Sequence, residues 1–212
     1  MRHEGIIKES QYERYAARAN VSADIFSWLN VNADINLSHG EGKGIGGLAL
    51  GGYNPIYLAY NYSPTMEIMN ADGVYLKDPY CSINENPVGI INGENERRRD
   101  VVNAHIDLRF NILPGLTFTT SNGFDYYNYY GYGFSSTKRW PGANSAMSND
   151  NTNNWLLQTT NNITYNGVFA DKHHLTATAV WEATKYTSRG MGISGNNLAS
   201  ETVGWWSVQN AA

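Results

Sequence analysis

The chain has 212 residues, only 16% of them charged, and its 15 Lys+Arg against 19 Asp+Glu leave a formal net charge of -4. That balance excludes a basic surface for nucleic acid or for an anionic membrane; the polarity comes instead from Asn, Ser, Thr and Tyr, with 15 Tyr and 6 Trp. The single cysteine, Cys81, excludes an internal disulfide and any cysteine-built metal site.

The opening MRHEGIIKESQYERYAARANV has no apolar core of a signal peptide, and no run of 18 apolar residues occurs anywhere. Taken alone, these absences describe a soluble cytoplasmic chain. The strand pattern that follows describes something else.

From Tyr15 to Ile25 the odd positions Tyr15, Ala17, Ala19, Val21, Ala23 and Ile25 are apolar, and Arg18, Asn20, Ser22 and Asp24 lie between them. After Phe26-Ser27-Trp28 the odd positions continue as Leu29, Val31, Ala33, Ile35 and Leu37. A period of two on both sides of a short turn predicts a hairpin, with strands over 15–25 and 29–38.

Segment 39–101 has no such period and is rich in Gly, Asn, Ser and Tyr. It contains Gly42-Lys43-Gly44-Ile45-Gly46-Gly47, which has the spacing of a dinucleotide-binding turn, with Glu67 downstream. The preceding strand is amphipathic rather than buried, and the following residues make a poor helix, so a loop stem is the better account.

The second hairpin runs over 102–112 and 116–126. Its even positions, Val102 to Phe110 and then Leu116, Phe118, Phe124 and Tyr126, form the apolar face, and Pro114-Gly115 makes the turn. Arg97-Arg98-Arg99-Asp100 at its head is expected to anchor a loop by ion pairs, with contact to a lumenal substrate as the lesser reading. Segment 127–154 follows, opening with the Tyr-rich run YYNYYGYG.

The third hairpin is expected over 155–165 and 174–183, turning between Gly167 and His173. Trp155, Leu157, Ile163 and Tyr165, then Leu175, Ala177, Ala179, Trp181 and Ala183, share its apolar face. His173 and His174 beside Asp171 have no spaced partner and make a polar turn, not a metal site. Asp150 in SNDNTNN lacks the remaining spacing of a calcium loop.

Short turns alternating with long segments fit a transmembrane barrel better than a compact soluble domain. The aromatics agree with that. Tyr15, Phe124, Tyr126, Trp155 and Trp181 fall near one end of the apolar face, and Trp28, Phe110 and Tyr165 near the other, with aliphatic residues between. This is the girdle arrangement of a lipid-facing surface. The expected fold is therefore all-β: about six antiparallel transmembrane strands in three hairpins, with long extracellular loops. Six such strands are too few to close a barrel, so the chain is expected to be a slice of a larger one.

Three segments carry a specific resemblance: YERYAARANVSADIFSWLNVNADINLSHG (Tyr12 to Gly40), SPTMEIMNADGVYLKDP (Ser63 to Pro79) and ILPGLTFTTSNGFDYYNYYGYGF (Ile112 to Phe134). They resemble the SusC/RagA-type TonB-dependent transporters of the Bacteroidetes outer membrane, and NITYNGVFADKHHLTATAVWEA (Asn162 to Ala183) is similar to a further hairpin of that barrel. The resemblance implies a 22-stranded barrel importing oligosaccharides or peptides, a SusD-like surface lipoprotein as partner, and coupling to the TonB complex. The coupling would run through a plug domain that residues 1–212 do not contain. It implies no cofactor and no enzymatic activity.

Within that picture Tyr127, Tyr129 and Tyr130 are candidate substrate-binding residues, because tyrosine rings stack on sugar faces while their hydroxyls hydrogen-bond. By parity Tyr127 and Tyr129 face the lumen. Few charges are expected at that mouth. Two other classes fit the composition, a surface β-sandwich that binds glycans and a β-rich glycosidase. No nucleophile–base pair or paired acid is discernible for the latter.

Overall fold

In a computed structural model the described residues are 1–44, 54–80 and 85–206. They form one antiparallel sheet whose seven strands neighbour each other in chain order. The strands are β1 (Arg2–Glu4), β2 (Gln11–Phe26), β3 (Leu29–Lys43), β4 (Glu94–Leu113), β5 (Leu116–Ser135), β6 (Ala146–Phe169) and β7 (His173–Asn196).

The alternation in the sequence becomes a shared face because directly paired residues project to the same side of a sheet. One row runs Ala17, Leu37, Val102, Tyr126, Trp155 and Thr187, and another runs Ala19, Ile35, Ala104, Phe124, Leu157 and Lys185. The odd positions of the first and third hairpins thus share a face with the even positions of the second, as the period predicts. The register shifts only beside two of the turns, between Asp24 and Phe26 and between Asn111 and Leu113.

The apolar face is not covered by a second layer in the described residues. Tyr15, Val21, Leu37, Leu157 and Trp181 stay exposed on it. The buried apolar side chains are instead Leu58, Ile90, Met147, Leu198 and Trp205, all at the end of the sheet that carries the long loops. A sandwich buries its apolar face against a partner sheet; here that face has no protein partner, so the sandwich expectation is set aside. A lipid-facing wall has this form.

At the other end of the sheet the hairpins are staggered. Asn111 donates to the Trp28 carbonyl at 2.8 Å and Asn166 to the Gly115 carbonyl at 2.7 Å, yet β4 continues to Leu113 and β6 to Phe169. Each hairpin thus projects past its predecessor, the shear that strand tilt produces in a barrel. Phe26, Trp28, Phe110 and Phe118 follow this end as consecutive ring contacts of 5.3, 6.2 and 5.9 Å.

The strands are longer than the sequence pattern predicts. Segment 127–154 is mostly strand, because β5 runs to Ser135 and β6 starts at Ala146. Segment 39–101 contains the end of β3, the start of β4 and two short helices, α1 (Pro55–Asn61) and α2 (Pro87–Ile91). The last turn is tighter than Gly167–His173: Phe169 pairs with His173, and Ala170 and Asp171 both have positive φ, 51° and 56°. The short β1 was not expected. Cys81 and Ile45, Gly46 and Gly47 of the glycine-rich run lie outside the described residues.

A polar cluster interrupts the apolar face between β5 and β6. Thr120 pairs with Asn161, and Asn122 with Thr159. Asn122 donates to Thr120 at 3.1 Å, Thr159 to Asn122 at 2.8 Å, and Asn161 to Thr159 at 3.2 Å. The four side chains satisfy one another, which lowers the cost of placing them among apolar neighbours.

Candidate functional site

Beyond the row of Tyr126 and Trp155 both faces of the sheet become polar, and the two faces differ in how their charges are matched. On the continuation of the apolar face, Arg98 reaches Glu96 at 2.6 Å and Glu41 at 3.3 Å, and His39 meets Asp100 at 2.6 Å. Arg98 thus makes ion pairs, but they join β3 and β4 within the sheet rather than anchor a loop.

Arg99, the next residue, projects to the polar face. Two rows define its surroundings: Arg14, Gly40, Arg99, Tyr129 and Thr152, and beside it Tyr12, Gly42, Arg97, Gly131 and Asp150. The Arg99 guanidinium carbon stands 5.6 Å from the centroid of the Tyr127 ring. Among the described residues, neither Arg14 nor Arg99 has a carboxylate within ion-pairing distance of its side chain. Three arginines, Arg14, Arg97 and Arg99, thus share this face with Tyr12, Tyr127 and Tyr129, against the expectation of few charges.

The glycines explain how the rings lie. A Cβ on Gly40 would come within 2.9 Å of the Tyr12 hydroxyl, and one on Gly42 within 3.6 Å of Tyr12 Cδ2, so the ring lies along β3 over bare backbone. A Cβ on Gly131 would be 3.3 Å from Tyr129 Cε1. The site is thus an arginine ridge on β4 with a glycine-floored trough on each side, and a tyrosine ring in each trough. A depression of about 490 Å³ there is lined by Tyr12, Gly40, Arg97, Arg99 and Tyr129 among others.

Of the three candidate tyrosines, Tyr127 and Tyr129 share this face. Tyr130 does not: it pairs with Arg98 and Asn151 on the opposite face and lies 6.1 Å from the Tyr132 ring. Strand parity removes it from the site. Tyr126 is also on that opposite face, where it accepts a hydrogen bond from Asn153 at 2.9 Å. Sequence reasoning missed Tyr12, Arg14 and the glycines, and gave Arg99 lumenal contact only as the lesser reading, because only the cross-strand register brings them together. His173 and His174 fall on opposite faces, paired with Phe169 and Val168, and among the described residues no group of three His, Cys, Asp or Glu could hold a metal ion.

Three loop segments cap this end. Residues 54–80 and 85–92 are folded around the side chain of Asn86, which is 2% exposed. Its oxygen accepts from Val88 N at 2.9 Å and caps α2, while its amide nitrogen lies 3.0 Å from the Ile68 carbonyl and 3.1 Å from that of Leu76. Asp78, equally buried, accepts from Ser63 N and Tyr80 N, both at 2.8 Å. Asn70 closes the Asn70-Ala71-Asp72-Gly73 turn by accepting from Val74 N at 2.8 Å, with Gly73 at φ 75°. Both helices start Asn-Pro, an N-cap followed by the residue best suited to the first helical position; that signal could have located them in sequence.

This unit docks on residues 136–145. Arg139 meets Glu85 at 2.9 Å, Tyr75 N donates to the Lys138 carbonyl at 2.9 Å, and Lys77 and Arg139 stand 5.0 and 4.7 Å from the Trp140 ring centroid. From the other side, residues 197–206 are held by Leu198 N donating to Ser145 Oγ at 2.8 Å and by Trp205 stacking on Tyr132 at 4.2 Å. Glu201 accepts from the Ser136 hydroxyl and from Thr137 N. Burial alone would raise the Glu201 carboxyl, but these hydrogen bonds outweigh it and hold it below its ordinary value.

No family model matches the chain. It is 25% identical, over 99% of its length, to TonB-dependent receptor P3 of Formosa agariphila, and spans 22% of that protein. Two solved structures of the RagAB peptide importer and transporter superpose with TM-scores of 0.68 and 0.69 at 16% and 17% identity, each covering 92% of this chain and 22% of theirs. The importer in its open-open state gives 0.63 over 88% of this chain. The chain thus spans about a fifth of the length of the proteins it matches, and the likeness to the importers is one of fold. Related throughout its length to a TonB-dependent receptor, this chain has the fold of a wall segment from a transporter barrel of that kind.

Proposed function

We propose that the chain supplies barrel wall and outer loops to an outer-membrane TonB-dependent transporter, and that the transporter imports oligosaccharides. The observation that carries this reading is the register of five long strand pairings, which brings the apolar positions of all three hairpins onto one lipid-compatible face and leaves the other polar. The Tyr127 and Tyr129 rings on the polar face are the contacts assigned to substrate, since aromatic faces stack on sugar rings. The interlocked cap of residues 54–92, 136–145 and 197–206 is the surface assigned to a SusD-like lipoprotein. Energy would come from the TonB complex through a plug outside this segment, and the segment by itself would transport nothing.

A peptide substrate is the second reading, favoured by the peptide importers that share the fold. In the complete receptor carrying this wall, replacing Tyr127 and Tyr129 together with Ala should slow growth on the imported oligosaccharide without lowering barrel abundance. Unchanged uptake would reduce both rings to packing.

A further inference from the structure

We infer that the polar face recognises a carboxylate-bearing oligosaccharide, with Arg99 as the principal ligand of the carboxylate and the flanking tyrosines as platforms for the sugar rings. This deepens the import reading and rests on it.

Charge distribution carries the inference. On one face of β4, Arg98 is matched by two carboxylates, Glu96 and Glu41. On the other, Arg99 meets a tyrosine ring and no carboxylate among the described residues, and Arg14 stands across Gly40 from it. Adjacent strands lie about 4.8 Å apart, so Arg14 and Arg99 are about 10 Å apart at the backbone, within joint reach of one ligand. Arginine is the side chain whose planar fork best fits a carboxylate, through two parallel hydrogen bonds. A wall that admits only neutral sugars has no need of two such arginines, Arg14 and Arg99, that form no ion pair among the described residues.

The troughs decide between classes of anion. Tyr12 and Tyr129 lie against glycine backbone on either side of the ridge, and a flat ring beside a guanidinium suits a carboxylate attached to a flat, hydroxylated ring. A uronic acid unit has both parts. An extended acidic peptide would use the arginines and leave the ring platforms unfilled.

The test uses the complete receptor in detergent, with oligouronates of four units from pectate and from alginate, their neutral methyl esters, and tetraglutamate. We expect an oligouronate to bind at least about tenfold more tightly than its ester, and Arg99→Ala to remove that preference. Arg98→Ala, the same change of charge on the opposite face, should leave it intact. Binding of the esters should be insensitive to Arg99→Ala and weakened by Tyr129→Ala. Equal binding of acid and ester, no oligouronate binding, or equal effects of Arg98→Ala and Arg99→Ala would overturn the inference. Stronger Arg99-dependent binding of tetraglutamate would overturn it in favour of an acidic peptide. Uptake of neutral oligosaccharides alone would sink this inference and spare the import reading, whereas uptake of no oligosaccharide of either charge would sink both.

Discussion

The side chains of Asn86 and Tyr62, 24 residues apart, meet at 3.0 Å between the Asn86 amide nitrogen and the Tyr62 hydroxyl. Around that contact the described residues of the loop, 54–80 and 85–92, bury only two large apolar side chains, Leu58 and Ile90. Polar groups buried in this way stabilise a structure only while they remain satisfied, so the loop should be sensitive to a single atom's change.

Asn86→Ala leaves Val88 N and Gly89 N at the start of α2 without their acceptor, while the Ile68 and Leu76 carbonyls lose one of two donors each and keep Leu76 N and the Tyr62 hydroxyl. The expected cost is about 1–3 kcal/mol, confined to this loop. Hydrogen exchange of amides 85–92 should accelerate by roughly tenfold or more while β4 and β5 keep their protection. Unaltered exchange would show that the loop is held from elsewhere.

Glu201 links segment 197–206 to the turn at 136–139. Its carboxyl is held below the ordinary 4.5 because hydrogen bonds to its charged form outweigh burial. A folded value lower than the unfolded one contributes stability that is present above 4.5 and is lost as the pH falls through the depressed value. Acidification below 4.5 should therefore loosen this contact, seen as faster exchange at amides 137–139, whereas Glu201→Gln should remove the pH dependence. A profile identical in wild type and Glu201→Gln would contradict the assignment.

Ala33 and Asn32 are neighbours on opposite faces of β3, Ala33 between Val21 and Ile106, Asn32 between Ser22 and Asp107. An arginine on the lipid side at mid-span costs about 2–4 kcal/mol in barrels of this kind. Ala33→Arg should impair assembly of the receptor in the outer membrane, and Asn32→Arg should be tolerated. Equal abundance of the two variants would refute the assigned facing.

The turn between β6 and β7 places Ala170 and Asp171 at φ 51° and 56°, with Lys172 N donating to the Phe169 carbonyl at 3.2 Å. This is the geometry that favours Asn-Gly, and a side chain other than Asn or Gly there is strained. The double substitution Ala170→Asn, Asp171→Gly should stabilise the hairpin by about 1 kcal/mol, read as a higher urea midpoint for unfolding of the barrel. A lower midpoint would mean that the observed turn is not the preferred one.

What was legible in the sequence follows the two faces of the sheet. Where one face is apolar and the other polar, Leu29 to Leu37 and Val102 to Phe110 alternate, and both the strands and their shared face can be deduced. Farther along, both faces are polar. Asn149, Asn151 and Asn153 occupy one face of β6 and Asp150, Thr152 and Asn154 the other, so the period disappears although the strand continues. The helices, of seven and five residues, are too short to show a period of 3.6. Arg99 could be read from sequence only as a lesser candidate for lumenal contact, since its neighbours Gly40, Arg14 and Tyr129 belong to three other strands.

The bare backbone under the two tyrosine rings has a consequence for how such a wall can diverge. A methyl group on Gly131 would meet the Tyr129 ring at 3.3 Å and one on Gly40 the Tyr12 hydroxyl at 2.9 Å, so each would push its ring away from the wall by a few tenths of an ångström or more. The width of the passage could then change in small increments through residues that never touch the cargo, while the recognising side chains keep their identity. Descendants of one ancestral gene could be tuned to slimmer or bulkier cargo by alanine–glycine exchange alone.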